Sequence, residues 1–91
     1  MSDNARQPQT WYFTFGLDHA LKKHVQPIHA PDANAARLKM LATYGHYWAD
    51  QHDGTEFAAV DQKYGPYSFL PAMDVTDEEA TSIAARMEVP R

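Results

Sequence analysis

Cysteine is absent from the 91 residues, which excludes disulfides, thiolate zinc sites and a cysteine nucleophile. No apolar run approaches the roughly 18 residues that a membrane span requires. The opening MSDNARQPQT has neither the charged start nor the apolar stretch of a secretory signal. The chain therefore reads as soluble and intracellular, with residues 1–9 as a flexible tail before one domain over residues 10–91. Glycine is scarce too, four residues, none grouped into a phosphate-cradling loop.

Catalytic and metal motifs are equally thin. Five histidines are present, His19, His24, His29, His46 and His52, without an HExxH pattern or a close pair on one helix face. His46, Asp50 and His52, beside Asp53, form the densest group of potential ligands, but loop histidines near carboxylates are usually solvated. DQHDG lacks the spacing and closing Glu of a calcium loop. Ser2, Ser68 and Ser82 lack the flanking glycines of a nucleophile elbow. No catalytic residue, metal ligand or cofactor is assigned, and the chain is expected not to be an enzyme.

Aromatic side chains are plentiful: five Tyr, four Phe and two Trp. At this length a folded chain buries only about 60 to 65% of the surface its unfolded form exposes, so one core must use most of them. TWYFTFG, residues 10–16, alternates as a strand, with Trp11, Phe13 and Phe15 on one face and Tyr12 and Thr14 on the other. Residues 17–23 read as a turn. A second strand follows over residues 25–30, and Pro27, which offers no ladder donor, should place it at an edge or stop it.

Asp32 and Gly45 mark the start and stop of a first helix, with Ala33, Ala36, Met40, Leu41 and Tyr44 as its apolar stripe and Arg37 and Lys39 facing water. The chain is then extended from His46, with Trp48 pointing inward. DQHDG makes a turn, Thr55 caps a second helix to Tyr64, and Phe57, Val60 and Tyr64 form its buried line. Tyr44-Gly45-x-Tyr47 and Tyr64-Gly65-x-Tyr67 read as two uses of one helix-stop device. Pro66 and Pro71 bracket YSFL, which reads as a short fourth extended segment or an irregular one. Thr76 and Glu79 are spaced as a capping box opening an acidic C-terminal helix over about residues 76–88, whose apolar face is Ala80, Ile83, Ala84 and Met87. The class is α+β: a small single-layer antiparallel or mixed sheet of three to four strands against two to three helices, ordered ββαβα(β)α.

Charge is unevenly spread. Residues 1–47 hold five basic and three acidic side chains, a balance of +2, whereas residues 48–91 hold nine acidic and three basic, a balance of −6. An acidic half disfavours contact with phosphates and suits a basic partner surface.

Tyr12 to Gly16, followed by Ala36, Arg37, Met40, Tyr44, Gly45, Trp48 and Ala49, carries a resemblance to small uncharacterised proteins of bacteriophages and prophages. It covers roughly residues 11–65. The resemblance implies a mobile-element origin and nothing more, and offers no catalytic residue to transfer; joined to the intracellular reading above, it sets the expectation of a host cytoplasm. Together with the acidic half it suggests a non-enzymatic protein that binds a host macromolecule. In its sharpest form, anti-CRISPR-type inhibition, Asp74, Asp77, Glu78 and Glu79, with Asp50, Asp53 and Glu56, occupy phosphate sites on a host defence complex. The alternative is a single-stranded nucleic-acid module, with Tyr12 or Tyr47 as stacking platforms and Lys22, Lys23 and Arg37 as phosphate contacts. Against it stand the net charge and the missing RNP1-type motif.

Overall fold

The computed structural model describes residues 9–16 and 18–87. Its elements run β1 (Gln9–Thr14), β2 (His24–Ala30), α1 (Ala33–Tyr44), β3 (Asp50–His52), α2 (Gly54–Tyr64), β4 (Ser68–Phe69), β5 (Met73–Asp74) and α3 (Asp77–Met87). The fold is α+β with a mixed sheet, as expected, but the sheet has five strands rather than three or four. The expected tail lies outside the described residues except for Gln9, which belongs to β1 opposite Ala30. Residue 88, the expected end of the acidic helix, also lies outside them.

Alternation along β1 sorts the side chains as the sequence indicates. Phe13 and Phe15 enter a core with Ile28, Ala30, Ala36 and Met40, against which Trp11 and Trp48 are partly buried. This is the face covered by α1 and α3. Tyr12 points the other way and is covered in turn, because the Phe57 ring of α2 stacks on it at 4.7 Å and 9°. Helices therefore lie on both faces of the sheet.

Pro27 does not make β2 an edge strand or end it. β2 runs through it between β1, antiparallel with Tyr12 opposite Pro27, and the short parallel strands β4 and β5. The carbonyls of Lys23, Val25 and His29 accept from Ser68, Leu70 and Val75 at 2.9, 2.9 and 3.0 Å. That alternation turns the missing donor of Pro27 toward the gap between β4 and β5. Two strands of two residues each replace one longer strand there. Gln26, 2% exposed, closes the gap with its side chain. Its Nε2 donates to the Pro27 carbonyl at 2.9 Å and the Pro71 carbonyl at 2.8 Å, and its Oε1 accepts from the Tyr44 hydroxyl at 2.8 Å.

Several local expectations are corrected. β3 begins at Asp50, not at His46, because the chain first turns after Gly45 and rejoins β1 only where Ala49 N donates to Thr14 O. In α1, Asp32 accepts from Ala35 N and Gly45 adopts φ 65, both as expected, but Ala35 is buried while Ala33 is exposed. Lys39 does not face water alone; it pairs with Glu79 at 2.6 Å. Tyr64 and Met87, assigned to buried stripes, are 57% and 47% exposed. Gly65 has φ −78, so it does not repeat the left-handed stop of Gly45. Glycine is required there because any Cβ would collide with the Asp61 carbonyl oxygen.

Gln26→Ala would strand two carbonyls and a phenol, and is expected to lower the unfolding free energy by about 3 kcal/mol in urea titration. Burial pushes the Tyr44 phenol above its ordinary value of 10.0. A raised folded value means the neutral phenol's contribution is fully present below about pH 10 and is lost as the pH rises through the folded value. The denaturation midpoint should therefore fall above about pH 10, and Tyr44→Phe should flatten that fall.

Candidate functional site

The acidic residues begin in their local roles. Asp53, not Thr55, caps α2, and it does so reciprocally: Glu56 N donates to Asp53 Oδ1 at 2.8 Å and Asp53 N to Glu56 Oε1 at 2.9 Å. Both carboxylates satisfy first-turn donors of a helix. At α3 only half of the expected box forms. Glu79 N donates to Thr76 Oγ1 at 3.0 Å, while the Glu79 carboxylate reaches across to Lys39 on α1. That pair ties the two helices of the core face together, and at 22% and 40% exposure of its side chains it is partly screened.

Three further acidic residues are exposed along one edge. Asp74 lies on β5 opposite His29, and Asp77 and Glu78 follow in the first turn of α3; all three are exposed. Asp50 is exposed as well, but on β3. Since β3 borders β1 and β5 borders β2, the Asp50 and Asp74 groups flank the central pair from opposite sides. Strand spacing puts them roughly 14 Å apart across the sheet. The seven acidic residues singled out from sequence do not form one face. A groove of about 250 Å³ between α1 and α3 is lined by Asp32 and Asp77 and by the small side chains of Ala35, Ala80 and Ala84.

A second surface gathers aromatic rings and lysines. Phe69 on β4 is 60% exposed and meets Tyr12 and Phe57 edge-on at 6.3 and 5.9 Å. Tyr67 leans on Phe57 at 5.7 Å. Lys23 Nζ donates to the Tyr64 carbonyl at 2.9 Å and stands 5.7 Å from the Tyr67 ring centre. Lys63 Nζ lies 5.3 Å from the ring centre of Tyr64. Of the platforms named from sequence, Tyr12 is covered by Phe57, and Tyr47 is 74% exposed on the loop before β3. The sequence pattern does not single out Lys63, Tyr64, Tyr67 and Phe69 as a group, because Tyr64 fits the buried period of a helix and YSFL an extended or irregular segment. The available signal was three aromatics and a lysine within residues 63–69, interrupted by Pro66, which prevents a continuous helix.

Among the described residues no three His, Asp or Glu side chains converge as a cation cage, and His46, Asp50 and His52 do not form one. No described helix is long and apolar enough to cross a membrane. Comparison with protein-family models, with curated proteins and with solved structures returns no match.

The two kinds of carboxylate should separate in stability measurements. Asp53→Ala, which removes a cap, is expected to cost about 1 kcal/mol, whereas Asp74→Asn and Glu78→Gln should each stay within about 0.5 kcal/mol of the wild type. Equal losses in chemical denaturation would contradict that division.

Proposed function

We propose that the chain is a non-enzymatic interaction protein that binds a basic surface of a host macromolecule through the acidic edge of Asp74, Asp77 and Glu78. One observation carries the reading. Asp74 and Glu78 are exposed and have no ion-pair partner among the described residues, while Glu79, one residue further along α3, is already paired with Lys39. At Asp74 and Glu78 the edge thus keeps negative charge that no described ion pair neutralises, next to a helix tied to α1 by the Lys39–Glu79 contact. Asp50, Asp53 and Glu56 lie beyond the other edge of the central strand pair and drop out of the contact.

The phage-like YFTFG pattern supports a mobile-element origin and a partner in the host cytoplasm. A nucleic-acid-binding surface of a host defence complex is the sharpest form of the partner, since carboxylates, like phosphates, accept charge-assisted hydrogen bonds from arginine and lysine. Inhibition of the anti-CRISPR type then follows from occupancy alone, with no chemistry required of the chain.

The test compares the wild type with Asp74→Asn/Asp77→Asn/Glu78→Gln in pull-downs from bacterial lysate. The wild type should retain a basic protein at low salt and release it at about 0.5 M salt, where exposed charges are screened, and the triple variant should retain none. Equal retention by the variant would place the contact elsewhere.

A further inference from the structure

The ring-and-lysine surface lies at the far end of β2 from the acidic edge. Lys23 immediately precedes the strand and Asp74 pairs beside His29 near its end. Six residues of extended chain put these ends roughly 20 Å apart. The acidic edge therefore does not govern the local charge here. Lys22 and Lys23 on the turn and Lys63 on α2 supply the cations, and the Asp61 carboxylate among them already accepts from Tyr67 N at 3.0 Å.

Large apolar side chains left exposed at this density need a reason on a chain that has few of them to spare. Tyr64 and Phe69 are both more than half exposed, although Phe69 meets a stacked pair in which Phe57 is buried and Tyr12 half-buried. Beside them a cavity of about 410 Å³ opens between the end of β1, β3 and α2, with Tyr64, Tyr67, Asp50 and His52 among its walls. Flat rings carry a base by stacking, a carboxylate and an imidazole meet the edge of that base, and ammonium groups beside the rings meet the phosphates.

We infer that this surface binds single-stranded nucleic acid, with bases stacked on Tyr64, Tyr67 and Phe69 and the backbone held by Lys23 and Lys63. A duplex is a poor fit, because its bases are already stacked on each other and the rings would meet only backbone. Charge complementarity selects this occupant over the same surface of a second copy in a two-fold pair, which would bring its own lysines against these. The site stands apart from the acidic edge and does not depend on it.

The test is fluorescence anisotropy with a labelled single strand of about 12 nucleotides, within the length one small domain covers, and with the same sequence as a duplex. Saturable binding to the single strand is expected at low salt, with about a tenfold loss on Phe69→Ala and on Tyr64→Ala. Lys23→Ala and Lys63→Ala should each reduce the slope of log affinity on log salt by about 0.7. Circular dichroism establishes that each variant is folded. The Tyr64 side chain takes no part in the Lys23 hydrogen bond, which goes to its carbonyl, so that variant reads the surface even where Phe69→Ala disturbs packing. The triple acidic variant should bind the strand at least as well as the wild type. Absence of saturable binding, equal binding to the duplex, or a homodimer in light scattering that Phe69→Ala dissolves while strand affinity stays unchanged would each overturn the inference.

Discussion

A proline in the middle of a central strand is the constraint from which the sheet takes its form. Pro27 removes one donor from the side of β2 that faces β4 and β5, and an unpaired carbonyl in that position would be costly in a buried setting. The fold answers with Gln26, whose buried side chain serves the Pro27 carbonyl, the Pro71 carbonyl and the Tyr44 hydroxyl together. This node joins the middle of β2 to the β4–β5 connection and to the last turn of α1. Without it the backbone of residues 68–74 would meet β2 through two separate two-residue pairings, with no polar contact across the gap between them.

The gap at Pro27 also separates the two surfaces that face outward. Residues before it on β2 pair with β4 and bring Phe69 beside the lysine turn; residues after it pair with β5 and lead into the acidic start of α3. One break in one ladder thus places aromatic rings and ammonium groups at one end and unneutralised carboxylates at the other. A nucleoprotein target presents both complements, a basic protein surface and the strand bound to it. The two proposed contacts are therefore compatible in a single encounter, although neither requires the other.

The elements that could be read from sequence are those set by local chemistry. Asp32, Gly45, the alternation of TWYFTFG and the start of α3 at Thr76 all depend on neighbours within a few residues, and all are where the pattern put them. The misses have non-local causes. Nothing near Pro27 announces that Gln26 will meet Pro71, 45 residues away, so the local residues point to an edge strand or to a strand that stops at Pro27. Likewise Lys39 turns from solvent only because Glu79 arrives on another helix 40 residues later. Tyr64 followed the helical period of a buried stripe, but α2 covers the sheet with Phe57 alone among its buried residues and leaves the last turn outside.

The same distinction governs the acidic residues. Composition counts every carboxylate equally, whereas a folded chain first spends those at helix starts on its own backbone donors and those opposite a lysine on an ion pair. Asp53 and Glu56 are taken by a capping box and Glu79 by Lys39, so the negative half of the chain is less negative toward a partner than its sum suggests. The residual charge is also directional, because Asp74 and Glu78 sit on consecutive elements along one sheet edge while Asp50 sits beyond the other. A basic surface approaching the molecule meets that edge as one patch and meets Asp50 only by reaching around the strands. Net charge therefore bears on the sign of a partner, and the pairing inside the fold decides which carboxylates it can touch.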